Sequence, residues 1–167
     1  MHARTEQSRD AGEIERLLDA AFGGPAESGL VAALRDHEVP LISLVAVDNG
    51  QVVGHILFSP VALDDHPDLR LMALAPMAVL PDRQRQGIGS LLVRSGLERC
   101  RESGIGAVIV LGHPEYYPRF GFRPASRFGI NCAYAVPDEA FMALELDAGY
   151  LAEAAGTIRY HECFDAA

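Results

Sequence analysis

The chain has 167 residues, of which 49% are hydrophobic and 22% are charged, and its formal net charge is −9 at pH 7. This composition is typical of a globular protein, and the length predicts a single domain over residues 1–167. The acidic balance argues against a nucleic-acid partner, because phosphate binding needs a basic face. No apolar run reaches the roughly 18 residues of a membrane span, and the N-terminus shows no secretory signal. We therefore expect a cytoplasmic protein without a membrane partner.

Two residue types limit the chemistry that the chain can carry. All 14 basic residues are arginines, so a Schiff-base lysine and a phosphate-loop lysine are both excluded. The three cysteines, Cys100, Cys132 and Cys163, are an odd number without a Cys-x-x-Cys pair. This usage indicates reduced thiols, and no metal site is expected.

The N-terminal residues predict two helices. Asp10-Ala-Gly-Glu13 resembles a capping box, and apolar residues follow it at helical spacing as far as Phe22. Gly23-Gly-Pro25 ends this helix, and a second helix is predicted from Ala26 to Asp36.

The hydrophobic period then changes to that of β-strands. Leu41–Val47 and Gln51–Leu63 are rich in β-forming residues and are separated by the turn Asp48-Asn-Gly50. A third strand is predicted over Leu69–Leu80, with Pro76 in its middle. Because proline has no N–H to donate to a ladder, we expect the sheet to be disrupted by a bulge near Pro76.

The second half of the chain mixes one helix with further strands. A helix is predicted over Gly87–Ser103, followed by a buried strand over Ala107–Leu111. A turn-rich section continues through Ala135, and the tail predicts strands over Phe141–Leu146 and Thr157–Phe164. This order of elements predicts an α/β fold with a mixed, mostly antiparallel central sheet flanked by helices.

The segment Arg83-Gln-Arg-Gln-Gly-Ile-Gly-Ser90 joins the third strand to the helix after it. A helix start of this kind suits an anion, because glycines permit close approach and the first helical amides carry the positive end of the dipole. Alternatively, the two glycines only allow the helix to pack tightly on the sheet. A phosphate loop is excluded by the missing lysine, and a dinucleotide fingerprint would need glycine where Leu92 stands.

A third interpretation rests on three linked motifs. Gln84-x-x-Gly87-x-Gly89 resembles the [Q/R]-x-x-G-x-[G/A] loop of the GNAT superfamily of N-acetyltransferases. Leu74–Pro81 resembles the strand that precedes this loop in the family, and Tyr117–Phe122 resembles its Y-x-x-x-G-F segment. With Val53–Pro60 and Gly156–Tyr160 the likeness covers nearly the whole chain, and a bacterial subgroup of predicted N-acetyltransferases is the most similar.

The resemblance implies the acyl-CoA N-acyltransferase fold, with its sheet splayed near Pro76. It also implies direct transfer of the acetyl group of acetyl-CoA to a primary amine of a small molecule or a protein. Backbone amides from Arg85 to Ser90 are then expected to hold the pyrophosphate, with added charge from the side chains of Arg83 and Arg85. Main-chain groups of the preceding strand would pair with the pantetheine arm. The implied cofactor-binding residues are Met77, Ala78, Val79, Arg85, Gln86, Gly87, Ile88, Gly89 and Ser90.

The resemblance also implies the catalytic groups. Tyr117 occupies the family's general-acid position, where it would protonate the leaving thiolate, and Tyr116 is the alternative if the register differs by one. Many relatives carry a glutamate base on the strand before the loop, but Ala75 and Pro76 stand there in this chain. Besides a chain of waters, the remaining candidates for a base are Glu27, His55 and His113.

The missing carboxylate leaves a second function open. A non-catalytic acyl-CoA-binding or sensor module would keep the loop and lose turnover. A nicotinamide-dependent oxidoreductase is a third, less favoured alternative. The acceptor, the acyl length and the oligomeric state, with a homodimer as one option, are left open by the sequence.

Overall fold

A computed structural model describes residues 1–166 and shows an α/β fold with α-helices and a nine-stranded sheet. The mixed, mostly antiparallel sheet predicted from the sequence is confirmed. The chain divides into two compact units, each made of separated stretches of sequence. Unit 1 comprises residues 1–58, 76–96 and the C-terminal stretch from Glu162, and unit 2 comprises residues 59–75 and 97–161. That residues 1–167 form one domain stays a prediction.

Unit 1 contains an antiparallel sheet whose strands follow the β-forming segments of the sequence. Strand β1 (His2–Thr5) pairs with β2 (Ile42–Asp48), and β2 pairs with the first part of β3 (Gln51–Leu63). Asn49 and Gly50 turn the chain between β2 and β3 with φ values of 51° and 76°. Strand β1 was not predicted, because its four residues carry no run of β-forming side chains.

Two helices of unit 1 were predicted closely. Helix α1 (Ala11–Phe22) ends at Gly23, which has a left-handed φ of 73°, and helix α2 (Ala26–Asp36) has the predicted bounds. The expected capping role of Asp10 was wrong. Asp10 makes no side-chain cap to α1, because its carboxylate accepts hydrogen bonds from Arg4 at 2.7 and 3.1 Å and from the N–H of Gln7 at 2.7 Å.

Both helices bury one apolar face in the core of unit 1. The buried helical residues are Ile14, Leu17, Leu18, Leu30, Val31 and Leu34. They share this core with Val45, Val52 and Leu57 of the sheet. Each fully buried side chain of this size contributes roughly 1.5–3 kcal/mol, so the helical period alone gives enough burial to fix both helices on the sheet.

A third helix, α3 (Ile88–Glu102), begins in unit 1 and packs closely on β3. A Cβ atom added at Gly54 would lie 2.9 Å from side-chain atoms of Ile88 and Leu92, and one at Gly96 would lie 2.4 Å from the ring of Phe58. Gly54 and Gly96 are therefore the glycines that permit this close contact between helix and sheet.

Unit 2 contains the parallel part of the sheet. The first residues of β4 (Leu71–Val79) pair in parallel with β5 (Ala107–Leu111), and β5 pairs antiparallel with β8 (Phe141–Glu145). The β4–β5 register runs from Leu71 to Leu74 and so ends two residues before Pro76. This end of the ladder agrees with the disruption expected from a residue that has no N–H to donate.

Short strands complete unit 2. Strand β6 (Arg123–Pro124) pairs with β8, and β9 (Gly156–Arg159) pairs with both β7 (Ile130–Cys132) and the end of β3. The predicted tail strand over Thr157–Phe164 was wrong beyond Arg159. Residues Glu162–Ala166 form a 3-10 helix, because alternation of side chains makes a strand only where a neighbouring strand is available to pair with it.

None of the helices within residues 1–166 is long and apolar enough to cross a membrane. Over the same span, His, Cys, Asp and Glu residues nowhere form a group of three or more that could hold a metal ion.

Candidate active site

The end of strand β4 leads into the glycine loop, by which we mean residues Gln84–Gly89. Along this end of the strand Ala78 is buried, while Met77 and Val79 are half-buried. The N–H of Leu80 donates to the carbonyl of Val53 at 3.0 Å and so closes the strand against β3. The side-chain amide of Gln84 donates to the carbonyl of Val79 at 3.2 Å. This hydrogen bond ties the first residue of the loop to the last residue of β4.

The backbone of the glycine loop twice enters the left-handed region. Arg85 has a φ of 63° and Gly87 has a φ of 85°. A side chain in this region costs roughly 1–2 kcal/mol, so Arg85 holds a strained conformation. Gln84, which precedes them, is extended, with φ −70° and ψ 158°. Left-handed residues within a turn can present successive N–H groups on one side, as in the concave anion sites of other proteins. The start of α3 follows at Ile88, and the dipole of that helix favours negative charge at the same place.

Gly87 has a different role from the glycines that pack helix on sheet. A Cβ atom added at Gly87 would meet no heavy atom of the described residues within 4 Å. The interpretation that this glycine serves tight helix packing was therefore wrong. Its positive φ and the open space beside it are what a ligand needs in order to approach the main chain closely.

The two arginines near the loop differ in their surroundings. Arg83 is paired with Asp48 of β2, with 2.5 Å between Nη2 and Oδ2. Arg85 is exposed, as are Gln86 and Gly87, whereas Ile88 is buried against β3. Arg83 was expected to add positive charge near the pyrophosphate. In the structure this charge is paired with the carboxylate of Asp48 at the end of β2.

Tyr117 lies in unit 2, on the first residue of a 3-10 helix that follows β5 (Tyr117–Phe120). Its side chain is buried, with 7% of its surface exposed. Phe122 lies edge-on to its ring with 5.7 Å between the centroids, and Tyr116 does so at 5.1 Å. Burial raises the pKa of the Tyr117 phenol to about 12, with a smaller contribution from Tyr116. The phenol is therefore protonated at neutral pH.

Tyr116, the alternative acid, has other contacts. The guanidinium carbon of Arg119 lies 4.4 Å from the centroid of its ring, and the Nε of Arg119 donates to the carbonyl of Tyr116 at 3.0 Å. Tyr116 is half-buried, whereas Tyr117 is buried. Of the two rings, that of Tyr117 is the better shielded from solvent.

His55, a candidate for the base, belongs to a buried cluster in unit 1. It has no exposed surface, its Nε2 lies 2.9 Å from the hydroxyl of Ser43, and Nε2 is 3.8 Å from a carboxylate oxygen of Glu6. Arg35 pairs with the second oxygen of Glu6 at 2.5 Å. Burial lowers the pKa of His55, although Glu6 acts in the opposite direction. Within residues 1–166 its Nδ1 has no hydrogen-bond partner.

The other two candidates for a base lie nearer the surface. Glu27 is half-buried in the first turn of α2. The side chain of His113 is 83% exposed and lies 3.9 Å from the carboxylate of Glu115. Of the three candidates, only His55 is buried.

One residue of this region was missed by the sequence analysis. Gly112 follows β5 directly, and a Cβ atom there would lie 2.4 Å from Cε2 of Tyr117. A glycine after a buried strand gave only a turn signal, because the ring that occupies the space comes from a residue farther along the chain. Gly112 is therefore part of the surroundings of the candidate acid.

The left-handed loop at a helix start in unit 1 and the buried tyrosine after β5 in unit 2 are each a feature that the resemblance to acetyl-CoA-dependent acyltransferases implies. The sequence profile described as the acetyltransferase (GNAT) family matches residues 11–122. This chain belongs to that family.

Relatives of known sequence and structure agree. The chain is 37% identical over 166 residues, which are 99% of each protein, to the uncharacterized N-acetyltransferase YhbS of Escherichia coli. It is 43% identical to the uncharacterized N-acetyltransferase YjhQ of the same species over 134 residues, which are 78% of this chain and 74% of YjhQ.

Two solved structures are similar over nearly the whole chain. The crystal structure of YhbS from Escherichia coli in complex with CoA has a TM-score of 0.93 at 37% identity, covering 98% of this chain and 91% of that one. A GNAT family acetyltransferase from Brucella melitensis in complex with acetyl-CoA has a TM-score of 0.82 at 36% identity, covering 98% and 97%. The expected fold, the resemblance and the assignment as an N-acetyltransferase are confirmed. Enzymes of this family use acetyl-CoA, which confirms the expected cosubstrate.

Proposed function

We propose that this enzyme transfers the acetyl group of acetyl-CoA directly to a primary amine of a small molecule or a protein. The glycine loop carries the proposal, because the left-handed φ values of Arg85 and Gly87 and the open space at Gly87 suit a bound diphosphate. Amides from Arg85 to Ser90 would hold this group, and the main chain of Met77–Val79 would bind the arm that leads to the thioester. The complexes of the Escherichia coli and Brucella melitensis relatives support the same ligand.

The chemical step needs a neutral amine, because an ammonium has no lone pair. The amine nitrogen forms a bond to the acetyl carbon, the carbon–sulfur bond breaks, and the proton that the nitrogen loses passes to a base or to water. The thiolate that leaves must be stabilised or protonated. Acetyl-CoA supplies the activated acetyl group, and this protein must supply a group that stabilises the leaving thiolate.

We assign the phenol of Tyr117 to the leaving thiolate as a hydrogen-bond donor. With a pKa of about 12 the phenol is a weaker acid than the thiol that forms, whose free pKa is near 8.5. The phenol therefore keeps its proton at neutral pH and is available to donate a hydrogen bond to the thiolate. Such a bond to a charged group contributes roughly 1.5–3 kcal/mol, or about 10- to 100-fold in rate.

A screen of amines with thiol release as the readout tests the function. We expect turnover with at least one amine, and a fall of about 10- to 100-fold in kcat for Tyr117→Phe with CoA binding unchanged. Tyr116→Phe is the matched control, and it should stay close to the wild type. Tight binding of CoA without turnover of any amine would contradict the proposal and favour an acyl-CoA sensor.

Two further expectations belong to the same proposal. None of Cys100, Cys132 and Cys163, which all lie within residues 1–166, forms a disulfide. This supports a reducing compartment, so we place the reaction in the cytoplasm. We propose that the acceptors are small amines that reach the enzyme in their cationic form. The chain attracts cations because its net charge is −9 at pH 7. Dependence of kcat/KM on ionic strength across neutral and cationic acceptors tests this preference.

A further inference from the structure

A glycine and an aromatic ring contact each other at the end of strand β5. Gly112 follows this strand directly, and its N–H donates to the carbonyl of Ala140 at 2.9 Å. The chain then turns back, so that the N–H of Tyr117 reaches the carbonyl of His113 at 3.3 Å. This turn lays the ring of Tyr117 against the α-carbon of Gly112.

The contact leaves no room for a side chain at Gly112. A Cβ atom would lie 2.4, 2.9 and 3.4 Å from Cε2, Cδ2 and Cζ of Tyr117, and these are the three nearest heavy atoms. Gly112 does not have a left-handed φ, so its backbone would accept alanine. Glycine is therefore needed at position 112 because the ring of Tyr117 fills the space of a side chain, and not because of its backbone conformation.

The ring has little freedom on its other sides. Phe122 and Tyr116 lie edge-on to it at 5.7 and 5.1 Å between centroids. Cε2 is bonded to Cζ, the carbon that bears the hydroxyl, so the position of this ring edge determines where the phenol oxygen stands. A methyl group at residue 112 would push the ring by about 1 Å, a displacement large enough to cost a well-placed catalytic group about a hundredfold.

We propose that Gly112 is a positioning residue for the acetyl-transfer reaction, acting only through the ring of Tyr117. The inference rests on the proposed role of Tyr117 and extends it to the residue that contacts its ring. Gly112 and Tyr117 together then fix the hydroxyl at the end of β5.

The chain offers a matched control at the other end of the same strand. Gly106 precedes β5, and a Cβ atom there would lie 2.2–2.4 Å from three ring atoms of Tyr150. The hydroxyl of Tyr150 accepts a hydrogen bond from the N–H of Arg70 at 2.8 Å. Gly106→Ala therefore makes the same kind of clash, against a tyrosine that has no role in the proposed reaction.

A double-mutant cycle in the full-length enzyme tests the proposal. We expect Gly112→Ala to lower kcat by about tenfold or more while the KM for acetyl-CoA stays within about threefold. In the Tyr117→Phe background the same change should alter kcat by less than about twofold, because the hydroxyl that it displaces is already absent. Gly106→Ala should leave kcat within about twofold in both backgrounds.

The outcomes separate the two proposals. If Tyr117→Phe leaves kcat unchanged, the role of Tyr117 fails, and the positioning role fails with it. If Tyr117→Phe lowers kcat but Gly112→Ala has no effect, or has its full effect in both backgrounds, the positioning role alone is overturned.

A stability cycle covers the case in which Gly112→Ala does not fold, and it needs no acceptor. Tyr117→Leu replaces the ring by a smaller side chain and removes the atoms that a Cβ would meet. We expect Gly112→Ala to lower Tm when Tyr117 is present. In the Tyr117→Leu background the same change should lower Tm much less. An equal loss of Tm in both backgrounds, or failure of both variants to fold, would overturn the contact on which the proposal depends.

Discussion

Arg83 and Asp48, which are separated by 35 positions in the sequence, form an ion pair with 2.5 Å between Nη2 and Oδ2. About a quarter of each side chain is exposed. The pair joins the end of β2 to the segment that enters the glycine loop. The hydrogen bond from Arg83 lowers the pKa of Asp48, so this carboxyl is ionised near neutral pH and offsets the charge of the arginine.

We predict that Asp48→Asn strengthens CoA binding by about two- to fivefold at low ionic strength, because it leaves the charge of Arg83, next to the proposed anion site, without its carboxylate partner. The gain should disappear at high salt. Titration calorimetry at two salt concentrations measures this change. Asp68→Asn, which makes the same change of net charge at an exposed turn of unit 2, is the control. Weaker binding by Asp48→Asn would show that the pair orders the loop instead.

Gly87 gives a test of the anion site itself. Gly87→Ala places a side chain at a φ of 85°, which costs roughly 1–2 kcal/mol of stability and shifts the amides around it. We expect the Kd for CoA to rise about tenfold or more, since each hydrogen bond to a charged group contributes roughly 1.5–3 kcal/mol.

Gly149→Ala is the matched control for this variant. Gly149 has a φ of 81°, and in the described part of the chain nothing lies within 4 Å of a Cβ added there. The two variants should lose similar stability, and only Gly87→Ala should lose affinity. Equal affinities would show that the loop backbone does not bind CoA.

Glu6 connects the buried cluster of unit 1 to acid stability. Burial raises its pKa, but His55, the hydroxyl of Ser43 and the charge of Arg35 lower it more, so the pKa lies below its ordinary value of 4.5. The ionised form therefore stabilises the fold above about pH 4.5, and this contribution is lost as the pH falls through the lowered pKa.

We predict that Glu6→Gln costs about 2 kcal/mol at pH 7, because bonds to the charged carboxylate are lost. Unfolding by urea should show a smaller decline below pH 4.5 than in the wild type. Glu98→Gln, which breaks an exposed pair with Arg101 at 2.8 Å, should change stability by less than about 1 kcal/mol. A decline of wild-type steepness in Glu6→Gln would rule out this role.

Cys100 provides the corresponding test at alkaline pH. Burial raises the pKa of its thiol from 9.0 to about 12. Between these values the unfolded chain releases the proton and the folded chain keeps it, so stability falls as the pH rises. A shift of this size corresponds to about 4 kcal/mol over the whole range.

We predict that Cys100→Ala flattens the decline between pH 9 and 12, measured by urea unfolding at several pH values. Tyr117→Phe should flatten it from pH 10 to 12 by the same reasoning. Leu97→Ala removes a buried side chain without removing a titrating group, so it should lower stability equally at every pH. If Cys100→Ala behaves like Leu97→Ala, the thiol does not remain protonated in the folded protein.

Elements that depend only on neighbouring residues could be predicted from the amino-acid sequence. Helix α2 has the predicted bounds, and α1 ends at Gly23 as the glycine signal indicated. The strand, loop and helix around Gly87 were recognised from their spacing. These features are local, because a hydrophobic period or a glycine acts within a few residues of itself.

The contacts between these elements could not be predicted from the sequence and follow from the fold. Asp10 pairs with Arg4 and does not cap α1, and Arg83 pairs with Asp48. The last strand ends at Arg159. The fold also lays the ring of Tyr117 on Gly112 and buries its phenol. Such contacts depend on how the chain turns between distant or non-periodic positions, and no residue pattern records the space that a folded neighbour will fill.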